Sequence, residues 1–203
     1  MEVAPGSGVP KLEIVKEAVL SSIEIMNPYH LVGLISFDAA VERTVPITRA
    51  AEQERIAMDV ARLRSGGGTV LATALEEAER MLQEVEASTK HVIVLSDGLS
   101  RDADFRTLSR SLARQGITVS TVSIGADANK RLMELIAAEG GGRSYHTDDT
   151  SRVPRIFTQE TSIVARNVVV EEAFFPTGRA DHALLAGIPV DELPALDGFV
   201  MTY

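Results

Sequence analysis

Thr69 and Asp97 are the residues whose type and setting best fit a chemical task. Thr69 closes the run Gly66-Gly67-Gly68, and Asp97 stands in Ser96-Asp97-Gly98, directly after the apolar run His91-Val92-Ile93-Val94-Leu95. Both offer oxygen, which is what a hard divalent cation takes. Mg²⁺ uses about six oxygen ligands in near-octahedral geometry and commonly keeps several waters, so a centre with few side-chain ligands is chemically sound. Gly67 and Gly68 let the Thr69 loop approach closely, and with Ser96 and Gly98 they form the ligand-binding loops. Each ligand also has a plainer use. Asp is a favoured helix N-cap and Thr serves there too, so either residue could simply start the helix that follows it.

Other chemistries fit less well. The glycine run lacks the Lys and Ser/Thr of a Walker phosphate loop, because Val70 stands where the Lys would follow. Ser96 lies where a strand passes into a helix, and His146 or His182 would be the base of a serine hydrolase. Yet Val94 occupies the first glycine position of the Gly-x-Ser-x-Gly elbow. His30, His91, His146 and His182 fall on separate elements and read as structural, and Asp148-Asp149 reads as a solvated turn.

The elements that must position these loops follow from periodicity. Leu12, Val15, Val19, Ile23 and Met26 recur at helical spacing over Lys11 to Met26, and Asn27-Pro28 ends that helix. A nearly continuous apolar run, His30 to Phe37, pairs in expectation with Val41 to Ile47 as a hairpin, and Pro46 pushes its second strand to an edge. Helices are expected at Ala51 to Leu63 and Leu71 to Val85, flanking the glycine loop. His91 to Leu95 is the purest buried-strand signal. A helix at Ala103 to Gln115, a β-branched strand at Ile117 to Ile124 and a helix at Lys130 to Ala138 follow. Gly140-Gly141-Gly142 stops that helix before a short strand, Arg143 to His146, and Val153 to Arg166 closes the series as a helix. Strands separated by helices imply an α/β fold, a doubly wound and mostly parallel sheet with helices on both faces. Ligands then bind beyond the carboxyl ends of the strands, near a topological switch point. This divides the chain into a loop at 1–10, the α/β domain at 11–167, and an irregular, proline-spotted extension at 168–203 that leads towards a following domain.

Composition narrows the function classes. A formal charge of -9 over 203 residues leaves no basic footprint for nucleic acid or anionic lipid. No apolar run approaches the roughly 20 residues of a membrane span. The chain has no cysteine, which removes disulfides, thiolate metal sites and cysteine nucleophiles.

The sequence resembles the von Willebrand factor type A domain. The matching features are Lys11-Leu12-Glu13 opening the first helix, Gly67-Gly68-Thr69 before a long helix, Leu95-Ser96-Asp97-Gly98, and Thr121-Val122-Ser123-Ile124-Gly125. The resemblance implies a Rossmann-like fold and a non-enzymatic protein-binding module. Its Mg²⁺, or Mn²⁺ or Ca²⁺, would be held by an Asp-x-Ser-x-Ser loop, Thr69 and Asp97, with an open position for a partner's carboxylate. The first of those parts is not found, because the chain starts almost at the first helix and Glu2 and Ser7 lack the spacing. The expectation is a first central strand missing from this chain and a metal site that binds weakly or not at all. The gap would be closed by direct pairing of its flanking strands or filled by Val168 to Phe175, within one chain or in a strand-exchanged homodimer. The tail resembles that of larger bacterial membrane-associated proteins with a glutamine-amidotransferase-like domain.

Overall fold

The computed structural model describes residues 10–37, 40–64, 70–96, 100, 103–165, 169–170 and 199–200. The helical spacing at the start becomes α1 (Lys11–Glu24), followed by β1 (Leu31–Phe37), β2 (Val41–Arg49), α2 (Gln53–Ala61) and α3 (Leu71–Gln83). Then come β3 (Lys90–Ser96), α4 (Phe105–Arg114), β4 (Ile117–Ile124), α5 (Lys130–Glu139), β5 (Gly141–Thr147), a 3₁₀ turn (Thr150–Arg152) and α6 (Val153–Ala165). The chain divides into two units, residues 1–164 and 165–203. In the second, β6 (Val169–Val170) pairs antiparallel with β7 (Phe199–Val200). Among the described residues no helix is long and apolar enough to cross a membrane.

Among the described residues the first unit has a two-stranded sheet, β1–β2, and a three-stranded parallel sheet with β4 at its centre and β3 and β5 on either side. The alternation along β4 shows how the layers form. Ile117 and Val119 join Leu71, Leu75, Phe105, Leu112, Met133 and Ile136, which come from α3, α4 and α5. Val122 and Ile124 join Ile14 and Ala18 of α1 and Val153 and Phe157 of α6. Both faces of β4 are therefore covered, its buried Ser120, Thr121 and Ser123 find hydrogen-bond partners, and each large aliphatic side chain buried there contributes about 1.5–3 kcal/mol over the exposed state. The expected helices on both faces are therefore present.

Two expectations need correction. Direct closure of the gap does not occur among the described residues: β1 pairs only with β2, antiparallel, and β3 only with β4. The described part of the segment proposed to fill it within one chain, Val169–Val170, is instead paired to Phe199–Val200 in the second unit. The other concerns β5, which starts at Gly141 rather than at Arg143. A Cβ on Gly142 would lie 2.2 Å from the Val119 carbonyl oxygen, so the glycine that reads as a helix stop is there because two backbones meet. Only glycine permits that approach.

Candidate functional site

Thr69, Asp97, Gly67, Gly68 and Gly98 lie outside the described residues, but the elements bounding their loops are described. Asp97 follows Ser96, the buried last residue of β3, so its loop leaves the carboxyl end of the strand. Thr69 precedes Val70, the N-cap residue of α3, where no side chain caps the helix. The first amide of α3, Leu71 N–H, donates instead to Ser100 Oγ at 3.3 Å. That bond ties the end of the Thr69 loop to the loop that follows Asp97. It brings together two segments that are remote in sequence.

The cap positions of α3 and α4 are held by Val70 and Asp104. Asp104, not Asp97, is the N-cap of α4, and its carboxylate accepts from Thr107 N–H at 3.0 Å. Hydrogen bonds from Thr107 hold that carboxyl below its ordinary pKa. Val70, not Thr69, stands at the cap of α3. Among the described residues no group of three or more His, Cys, Asp or Glu side chains is placed to hold a metal.

The pairing of Ser96 with His146 has no geometry for catalysis. Ser96 registers against Ser123 of β4, and Ser123 against His146 of β5, so a whole strand separates Ser96 from His146. Two strand spacings amount to roughly 10 Å, beyond hydrogen-bond reach. His146 Nδ1 lies 3.0 Å from Ser123 Oγ, and its Nε2 lies 3.0 Å from Asp148 Oδ1. Ser123 is only 1% exposed, so this Ser–His–Asp chain holds strand ends together rather than offering a nucleophile. His182 lies outside the described residues.

The family assignment follows from comparison with known proteins. The model of the von Willebrand factor type A domain matches residues 7–159. The chain belongs to this family. As a type A domain it is 26% identical over 162 residues to calcium-activated chloride channel regulator 1 of Bos taurus, covering 76% of this chain but only 18% of that protein. The chain thus spans a small part of that relative. Its fold is that of the von Willebrand factor type A structure from Catenulispora acidiphila, with a TM-score of 0.71 at 21% identity, over 80% of this chain and 39% of that one. The mussel byssus proximal thread matrix protein 1 with a zinc-occupied MIDAS (metal-ion-dependent adhesion site) motif superposes with a TM-score of 0.67 at 20% identity, over 80% and 44% of the two chains.

Within this type A domain the sequence reading missed a buried acid. Glu160 of α6 is fully buried, and its Oε1 accepts from Ser120 Oγ at 2.6 Å and from Arg143 Nη2 at 3.0 Å. Its Oε2 accepts from Tyr145 hydroxyl at 2.6 Å and from Arg143 Nε at 2.9 Å. Burial pushes the Glu160 carboxyl up, but the bonds from Arg143, Ser120 and Tyr145 outweigh it and hold the group ionised below the ordinary range. His91 completes the cluster with Nδ1 2.6 Å from Thr118 Oγ1. Its Nε2 lies 3.3 Å from Glu160 Oε1, close enough for ion pairing but not aligned for a hydrogen bond. Burial holds His91 below its ordinary pKa, against the pull of Glu160. The signal in the sequence is Glu160 on the stripe of Val153, Phe157 and Thr161, where an acid has no place unless it is paired.

Proposed function

We propose that this type A domain is a non-enzymatic, divalent-metal-dependent module for binding a protein partner. Thr69 and Asp97 would hold Mg²⁺, Gly67, Gly68, Ser96 and Gly98 would shape the loops, and a carboxylate of the partner would take an open coordination position. The observation that carries this reading is the Leu71 N–H to Ser100 Oγ bond, which joins the two oxygen-bearing loops. Support also comes from the occupied MIDAS motif of the mussel relative in the same fold. Bound there, the cation supplies a Lewis-acidic position for an anionic ligand and requires no bond to be broken. The expected result is weak Mg²⁺ binding, on the order of millimolar, since most ligands would be water. Asp97→Ala should weaken it by more than about tenfold, because even outer-shell changes at metal sites cost that much. Calorimetry that gives the same Mg²⁺ isotherm for Asp97→Ala and the parent would sink the assignment. Ester hydrolysis abolished by Ser96→Ala would replace it with the enzyme reading.

A second proposal concerns self-association. Among the described residues β1 and β3 each have one partner strand, although both are apolar runs of the kind that central strands carry. An unpaired apolar edge invites a strand from another chain, and exchange between identical chains is a low-cost route to a dimer. Light scattering at micromolar concentration should give the mass of a dimer. A monomer that unfolds in one cooperative step would exclude obligatory exchange.

A further inference from the structure

Helix α4 carries Arg106, Arg110 and Arg114 one turn apart and no acid, in a chain whose formal charge is -9. Residues four apart share one helix face, so the three guanidinium groups form a stripe. Arg106 and Arg110 are more than half exposed, and Arg114 is exposed as well. Beside them lies a cleft of about 460 Å³ lined by Thr107, Arg110, Ala113, Arg114 and Glu139.

Glu139 shows what this stripe accepts. Its carboxylate takes a bond from Arg110 Nε at 2.6 Å and one from Arg106 Nη1. Yet it is the last residue of α5, where the helix dipole disfavours an anion. Helix stability therefore does not account for a carboxylate there, whereas two arginines do. Arg114 has no ion pair among the described residues, and Arg110 keeps guanidinium nitrogens that Glu139 does not use. Guanidinium groups bind carboxylates through paired, charge-assisted bonds and are favoured wherever such groups must be recognised.

The geometry points to a second interaction surface: α4 and its cleft dock an acidic segment of a protein partner, with carboxylates on Arg110 and Arg114 and with Glu139 as an internal competitor. Two carboxylates on alternate residues of an extended peptide are about 7 Å apart, which matches one helical turn between the arginines. A long polyanion such as nucleic acid fits less well, because beyond this short stripe it meets a net acidic surface.

The surface needs no metal, so it can be tested in EDTA, where the proposed Mg²⁺ site plays no part. Fluorescence anisotropy of the full chain with a labelled Ala-Glu-Ala-Glu-Ala-Glu-Ala peptide should show binding that weakens as salt rises. Arg110→Gln with Arg114→Gln should weaken it at least about tenfold through the loss of two charge-assisted pairs, and the paired Lys variant should fall between. Glu139→Gln should strengthen binding by freeing both arginines. Circular dichroism verifies that each variant is folded. The proposal is overturned by no binding to the parent chain, by equal binding of a peptide with Gln in place of Glu, or by an unchanged double Gln variant. Tighter binding of a single-stranded oligonucleotide of equal charge overturns it too.

Discussion

Glu160 is the residue on which the polar cluster between α6, β4 and β5 converges. Three side chains donate four hydrogen bonds to its two oxygens, and they come from β4 and β5, so one carboxylate fixes α6 to two strands. Removing the acceptor leaves buried donors without a partner. Breaking a buried charged pair costs up to about 3–5 kcal/mol, but Arg143 is 46% exposed and water can recover part of its solvation. We expect Glu160→Ala to destabilise by about 2–3 kcal/mol, and Glu160→Gln, which keeps the shape and loses the charge, by about 1–2 kcal/mol. Urea unfolding measures both. Equal and small losses would mean that the cluster adds specificity rather than stability.

At the scale of elements, the glycines of β5 and of the turn after α4 separate two physical causes. Gly116 has φ +75° with nothing within 4 Å of a hypothetical Cβ, so Gly116→Ala pays only left-handed strain, about 1–2 kcal/mol. Gly142→Ala places its Cβ against the Val119 backbone, which cannot rotate away, and should disrupt the β4–β5 ladder at a larger cost. Thermal melts of the two variants rank them, and a more damaging Gly116→Ala would contradict the close-approach argument. The same glycines show what the sequence conceals. The apolar run of β3 and the helical spacing of α3 are local signals, so those elements were legible. A glycine triplet looks alike whether it stops a helix or lets two strands touch, because the reason lies in Val119, more than twenty residues away. The elements that bound the two oxygen-bearing segments, α2 and α3 on one side and β3 and α4 on the other, were legible too. The Glu160 cluster was not, since its partners come from separate strands and no spacing links them. Ser96 with His146 failed as a pair because β4 lies between their strands, a fact of strand order that composition does not carry.

For the whole molecule, acid should act in two separable ways. The sequence pI of about 5.0 means that the charge of -9 at pH 7 vanishes near pH 5, where self-repulsion is lost and association is greatest. Stability follows different groups. His91 is held by burial below its ordinary value of 6.5, in a setting that also contains Arg143 and Tyr145 of β5, Thr118 of β4 and Glu160 of α6. The folded state therefore binds fewer protons than the unfolded chain in that range, and stability declines as pH drops through about 6.5. Glu160 is held below its ordinary 4.5, so its contribution is present above that value and is lost as pH falls further. Surface carboxyls held low by hydrogen bonds, such as Asp104 and Asp149, add little, because solvent screens them. Turbidity should thus peak near pH 5 while circular dichroism is still native, and urea midpoints should fall in one step below about pH 6.5 and again below about 4.5. His91→Gln should remove the first step and leave the second and the turbidity peak in place. A variant whose midpoints track those of the parent through the upper step would show that His91 does not couple this domain to pH.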